Sequence, residues 1–354
     1  MVRVVTYNEI DRGEWSRLVQ TSATGTWFQT PEAFEFFESM PNLFRSFVIG
    51  VAVERVNDLT NERTLRGVCV GYVTVERNPI KQYFTRRAII IGGPALADDA
   101  TDEEVELLMN GVKELTSERM NGAPIYIETR NFNDYSKWKG AFEKAGFEYK
   151  KHLNFHVDCT DKEKMWERLS ENRKRQIRKV TNEGVKELTN ERVKELASEG
   201  VSEQDVREWY EILSELYRKK VKTPLWPVEF FLEFYRQKRG VYLLQKHNGK
   251  VIGGIMCPIF ENRCIYEWYI CGMDAEYKES HPSVMATWAA MEYANTHGIA
   301  RFDVMGAGEP GVPYGVRDFK AEFGGELVEH GRFVCVREHI LYKIGTLAVK
   351  MMKS

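Results

Sequence analysis

Two stretches far apart in the chain share one pattern: "WKGAFEKAGFEYKKHLNF", residues 138–155, and "YGVRDFKAEFGGELVEHGRF", residues 314–333. Each reads as a short helix with an apolar Phe, a Gly stop and a strand with charge on alternate positions. The segments before them also run in one order. The first half places the alternating runs "SFVIGVAVERV", "RGVCVGYVTVER" and "AIIIGGPAL" ahead of a helix capped at Thr101, with Val105, Leu108, Met109, Val112 and Leu115 on one stripe, and then the strand "PIYIETR". The second half places a strand run with turn signals at Asn248-Gly249 and Glu261-Asn262 ahead of the helix "PSVMATWAAMEYANTHG" and the strand "ARFDVMGAG". The spans Gly122 to Gly146 and Gly298 to Gly324 nearly match. This repetition predicts duplicated α/β units. A chain of 354 residues also exceeds one ordinary core. The expected domains are 1–160 and 161–337, followed by an amphipathic basic helix over 338–354. On that helix Ile340, Leu341, Ile344, Leu347, Ala348 and Met351 share a face. A helix lying on a membrane surface is one reading, which Lys343, Lys350 and Lys353 suit.

Composition excludes several classes. Net charge is −2, so no global field draws the chain to nucleic acid. The six cysteines form no C-x-x-C pair and read as reduced core residues, the histidines are scattered, and no metal site is expected. No apolar run reaches the ~20 residues of a membrane span, and the N-terminus has no apolar signal-peptide region, so a cytoplasmic location is expected. Walker-type, dinucleotide-type and nucleophile-elbow loops are missing, and no cofactor is expected.

The element order suggests the GNAT acyltransferase fold. Acetyl-CoA members of that group cradle pyrophosphate on a glycine-containing loop before the central helix. Here that loop reads "AEYKESHPSVMATWAA", with Pro282 and no glycine, which disfavours a CoA donor. Four stretches, "FQTPEAFEFFE", "GGPAL", "NRKRQIRKVTNEGV" and "SVMATWAAMEYANTHGIARFDVMGAGEPGVPYGVRDFKAEFGG", resemble the Fem family of cytoplasmic aminoacyl transferases. These enzymes extend the peptide stem of peptidoglycan precursors from aminoacyl-tRNA. The resemblance implies two tandem GNAT-like domains, α/β (α+β), with mixed, largely antiparallel sheets flanked by helices. The compact form without a coiled-coil arm is implied, with the helix over 338–354 packing back on the first domain.

It further implies that Phe319-Lys320, with Asp318 beside them, lie at the tRNA acceptor end and the reacting ester. A fixed cation there would stabilise the oxyanion formed when an amine attacks the ester. The alternative is a lysine merely solvated on a helix face; the first copy carries Glu143 at that place. For the general base, Asp318, Asp303, Glu267 and assistance by the substrates themselves stay open. The resemblance assigns Arg218, Trp268, Tyr269, Gln29, Tyr314 and Arg317 to substrate binding, while Phe34 and Glu38 stand where relatives carry Trp and a phosphate-binding Lys. Arg173, Arg175 and Arg178 could meet phosphates of tRNA or of a precursor, or form a solvated helix face. The implied partners are aminoacyl-tRNA and a cell-envelope precursor. Two rivals remain: a GNAT-like N-acyltransferase fed by acyl-CoA or acyl carrier protein in exopolysaccharide or envelope modification, and a non-catalytic binding module. The oligomeric state is left open.

Overall fold

The computed structural model describes all residues except 58–59, 119–122, 184–199 and 354. Gly122, Gly184 and Val185 of the stretches quoted above lie outside the described residues. The chain divides into two compact units, residues 1–152 with 329–352, and residues 153–328.

The first unit begins with β1 (Val2–Thr6), α1 (Arg12–Thr21), α2 (Pro31–Glu38), β2 (Phe44–Asn57) and β3 (Thr60–Thr74). It continues with α3 (Pro79–Thr85), β4 (Ala88–Gly92), β5 (Ala95–Leu96), α4 (Asp102–Glu118), β6 (Tyr126–Asn131), α5 (Lys139–Lys144) and β7 (Glu148–Lys150). Local chemistry sets these boundaries. Thr30 Oγ accepts the amide of Ala33 at 3.2 Å with Pro31 in the first turn, so α2 starts there. Thr101 and Glu104 satisfy each other's amides at the head of α4, forming a capping box. Val105, Leu108, Met109 and Val112 then lie wholly buried against the sheet.

The second unit holds β8 (Leu153–Asp158), α6 (Lys162–Glu167), α7 (Glu171–Glu183), α8 (Glu203–Leu216), α9 (Val228–Arg236), β9 (Gly240–His247) and β10 (Lys250–Phe260). There follow β11 (Cys264–Tyr266), β12 (Tyr269–Gly272), α10 (Pro282–Thr296), β13 (Arg301–Asp303), α11 (Gly315–Ala321) and β14 (Glu326–Glu329). The chain then returns to the first unit with β15 (Arg332–Val336) and α12 (His339–Lys353). Helix α10 is apolar nearly all round, which fits an element surrounded by core, and Val284 through Met291 are all buried.

The first sheet runs β1-β2-β3-β4-β6-β15-β7, and the second β12-β10-β11-β13-β8-β14. Each contains a parallel pair beside antiparallel ones: β4 with β6, and β11 with β13. The repeated order expected from the sequence is present, with one exchange. Strand β8, within the expected first domain 1–160, pairs with β13 in the second sheet. Strand β15, within the expected 161–337, pairs with β6 and β7 in the first. Each sheet receives its late strand from the other copy of the repeat. The expected segments therefore correspond in order but trade one strand, and the unit boundaries fall at 152 and 328 rather than at 160 and 337.

Helix α12 belongs to the first unit, where Tyr342 stacks edge-on with Tyr126 at 5.2 Å. Only part of its expected apolar face is covered: Leu341 is half-buried, while Ile340, Ile344 and Leu347 face solvent.

Across the first sheet, Glu128 lies buried between Arg332, 2.6 Å away, and Arg130, 3.4 Å away. Burial pushes its carboxyl up, but the two guanidiniums overcome this and hold it at about 2. A depressed acid stabilises the fold above its ordinary value of 4.5 and loses that contribution as pH falls toward 2. Acid melts between these limits should show a loss on the order of 3 kcal/mol from this group. Glu128→Gln should flatten that part of the profile; an unchanged acid limb would overturn the assignment.

Candidate active site

In the second unit β11 and β13 run parallel for three residue pairs, ending at Tyr266 opposite Asp303. They then part for two local reasons. On the β11 side, β10 pairs Ile259 with Ile265 but Met256 with Tyr269, so one extra residue is accommodated around Glu267-Trp268. This bulge re-aims Glu267 and carries the strand onward as β12. On the β13 side, the chain kinks after Asp303. Met305 takes φ +55°, and the Asp303 side chain accepts the Met305 amide at 2.8 Å. The Asn154 side chain accepts the Gly306 amide, also at 2.8 Å.

Lys320 fills the wedge so formed. Its Nζ donates to Val304 O at 2.5 Å and to Gly306 O at 3.0 Å, and pairs with Glu267 Oε1 at 2.9 Å. Its side chain is only 11% exposed and that of Glu267 3%. The solvated-lysine reading therefore fails for this residue. Its counterpart Glu143 is half exposed and pairs loosely with Lys139, one turn away. An ammonium has three donors, and all three are engaged. Glu267 Oε2 is buried without a hydrogen-bond partner. Burial raises the Glu267 carboxyl, and the nearby Lys320 charge only partly offsets this. Asp303, fully buried, behaves oppositely: burial raises it, but His156, Arg301 and Asn154 bring it below the ordinary range. Two buried carboxyls in one wedge are thus driven apart, one toward holding a proton and one toward staying ionised.

An aromatic wall stands on the bulged strand. The Tyr269 ring lies 5.0 Å from Phe231 and 6.3 Å from Tyr217, and Trp268 lies 5.2 Å from Phe230. Burial, aided by the neighbouring Tyr314 and Cys271, pushes the Tyr217 hydroxyl up to about 12. Tyr314, Val312 and Val316 remain in solvent, as does Asp318 in the first turn of α11.

Several residues expected to bind substrate are placed otherwise. Gln29, in the first unit, is completely buried. Its amide donates to Val70 O and Ile91 O and accepts Val70 N, joining β3 to β4, so it serves the core. Arg317 ties down the loop before α11 by donating to Ala307 O at 2.7 Å, Val312 O at 3.1 Å and Glu309 O. Arg173 is buried: its guanidinium covers the Phe319 ring at 4.4 Å and pairs with Glu322 at 3.1 Å, so it buttresses α11. Arg175 and Arg178 do face solvent, with Arg178 over the Trp166 ring. Arg218 is 73% exposed, in a π-helical turn following α8. Phe319 is half-buried against Phe323. The wedge residues Asn154 and His156 were not singled out from sequence, because they come from the exchanged strand β8.

Before α10, the first helix amide that would face a pyrophosphate is already engaged. Asp274 accepts Ser283 N at 3.1 Å and Ser283 Oγ at 2.5 Å. A carboxylate at the helix head repels a second anion. Titration with acetyl-CoA should give no saturable heat; micromolar, acetyl-dependent binding would overturn this reading.

Residues 152–321 match the family described as an acetyltransferase (GNAT) domain. With the parted strands, this marks the second unit as a GNAT-type domain by similarity. The chain is similar along its length to the crystal structure of FemX, with 14% identity, 95% of this chain and 98% of that one covered, and a TM-score of 0.65. It also resembles a tandem GNAT protein from the clavulanic acid biosynthesis pathway (10% identity, 94% and 98% covered, TM-score 0.53). A conserved protein of unknown function from Bacteroides thetaiotaomicron is similar too (10%, 95% and 100%, 0.51). No curated protein matches in sequence. The chain thus shares the fold of FemX, with residues 152–321 similar to a GNAT-type domain. Among the described residues, no helix is long and apolar enough to cross a membrane.

Proposed function

We propose that this protein is a cytoplasmic Fem-type transferase that moves an aminoacyl group from aminoacyl-tRNA to an amine of a cell-envelope precursor of the peptidoglycan kind. The observation that carries the reading is the buried Lys320–Glu267 pair set where β11 and β13 part. Attack of an amine on an ester needs a fixed positive field for the carbonyl oxygen and a group to take the proton. Lys320 supplies the field. It acts as a held charge or exchanges one carbonyl partner for the oxyanion. Glu267, with one free oxygen and a raised affinity for protons, is the base that fits best among Asp318, Asp303 and Glu267. Asp303 is committed to Asn154 and His156, and Asp318 is in open water. The Trp268–Tyr269 wall and Tyr314 would hold the acceptor, with Arg218, Arg175 and Arg178 available to phosphates. The Asp274 cap weighs against a CoA donor.

The test incubates the protein with a mixture of charged tRNAs and nucleotide- or lipid-linked envelope precursors and reads the precursor mass. An added aminoacyl mass that disappears when the tRNAs are deacylated is the expected result. Mass added from acyl-CoA or a charged carrier protein, with none from tRNA, would overturn the donor assignment.

A further inference from the structure

Half of the large apolar side chains left in solvent among the described residues sit on two helices of the first unit. They are Ile80, Tyr83 and Phe84 on α3, and Ile340, Ile344 and Leu347 on α12, each between 48% and 76% exposed. The two helices leave the sheet at the same end. Just after α3, Arg86 O accepts the Ile125 amide at 3.0 Å. Just before α12, the amides of Arg337 and Glu338 donate to Ile125 O at 2.8 and 3.1 Å. One residue at the entry to β6 therefore anchors both.

Charge around them is one-sided in a chain whose net charge is −2. Residues 77–87 carry Arg77, Lys81, Arg86 and Arg87 and no acid; residues 337–353 carry Arg337, Lys343, Lys350 and Lys353 against Glu338 alone. Arg77, Lys81 and Lys343 are exposed beside the apolar side chains. Glu76 is the acid near α3, and Lys81 engages it at 2.8 Å. Exposed apolar groups on short helices, fringed by Lys and Arg, match the chemistry of an anionic bilayer surface. There the side chains enter the headgroup boundary and the cations meet lipid phosphates.

We propose that α3 and α12 together form a peripheral docking surface for an anionic lipid bilayer. This rests on the geometry of the first unit and not on the reaction assigned to the second.

Flotation of the full chain with vesicles of phosphatidylcholine, alone or with about 30 mol% phosphatidylglycerol, tests it. Binding to the anionic vesicles alone, weakened when salt rises from about 0.05 to 0.5 M, is expected. Ile340→Ser/Ile344→Ser/Leu347→Ser should reduce it at least tenfold, and so should Ile80→Ser/Phe84→Ser, with melting temperature preserved because all five side chains are already in solvent. Equal binding to both vesicle types would overturn the proposal. So would undiminished binding by both variants, or a concentration-dependent dimer that only the variants abolish, which would assign the surface to a second copy of the chain.

Discussion

Lys320→Met is expected to lower transfer by roughly 10²-fold or more, the usual cost of one preorganised electrostatic donor. The substitution keeps most of the side-chain volume and removes the charge from the wedge. The sequence alone would predict intact folding, because a lysine on a short helix is normally solvated. The geometry predicts otherwise. Removing the ammonium leaves Glu267 buried opposite an apolar chain and strips the donor from Val304 O and Gly306 O. Breaking one side of a buried pair costs roughly 3–5 kcal/mol. The loss should shrink as pH falls, because a protonated Glu267 no longer needs a counter-charge, and Lys320→Met/Glu267→Gln should recover part of it. Turnover must therefore be measured well below the variant's melting temperature. Glu143→Met, at the matching place in the first copy, should change neither quantity. Near-normal transfer by folded Lys320→Met would remove the lysine from the mechanism. A stability equal to wild type would remove the ion pair from the fold.

The second large effect separates two glycines that look equivalent in sequence. Gly146 and Gly324 each close the short helix of their repeat at positive φ, +86° and +73°. At Gly146 an added Cβ would meet nothing nearer than Lys113 Nζ at 3.8 Å. Gly146→Ala should thus lose only the left-handed backbone penalty, about 1–2 kcal/mol. At Gly324 the Cβ would lie 2.4 Å from Arg168 O and 2.6 Å from its carbonyl carbon. Backbone cannot give way as a flexible side chain can. Gly324→Ala should cost about 4 kcal/mol or more, in the tail of single substitutions. Denaturant melts of the two variants side by side decide it. Equal losses would show that the α6–α11 contact relaxes freely.

Much of this architecture was legible because it rests on local rules. Thr30 and Thr101 had to cap, Gly146 and Gly324 had to stop helices, and the element order repeated. Lys320 stood out by contrast with Glu143 and by the resemblance to the Fem family. The exchange of β8 and β15 left no such mark, since alternation fixes which face a residue takes and not which strand lies beside it. His152 and Gly331 precede those strands whichever sheet they join. Arg173 was misread although a signal existed: it stands four residues from both Leu169 and Ile177, on the inward stripe of its helix. Gln29 was harder. A buried amide spanning two strands is defined by the gap between those strands, and nothing in "FQTPEAF" describes that gap.

The traded strands also bear on how the chain is made. Residues 1–152 emerge first from a ribosome, yet their sheet lacks the strand between β6 and β7 until residue 336 has been synthesised. Until then β6 and β7 present bare edges, the kind of surface that recruits wrong partners. Domain-by-domain maturation, the ordinary route for long chains, is closed to the first unit. Its completion must wait until residue 336 has emerged, through contacts of very large sequence separation that form slowly. A nascent chain of this kind has reason to be held by a chaperone, and cutting the gene between the units would yield two unfinished sheets rather than two domains.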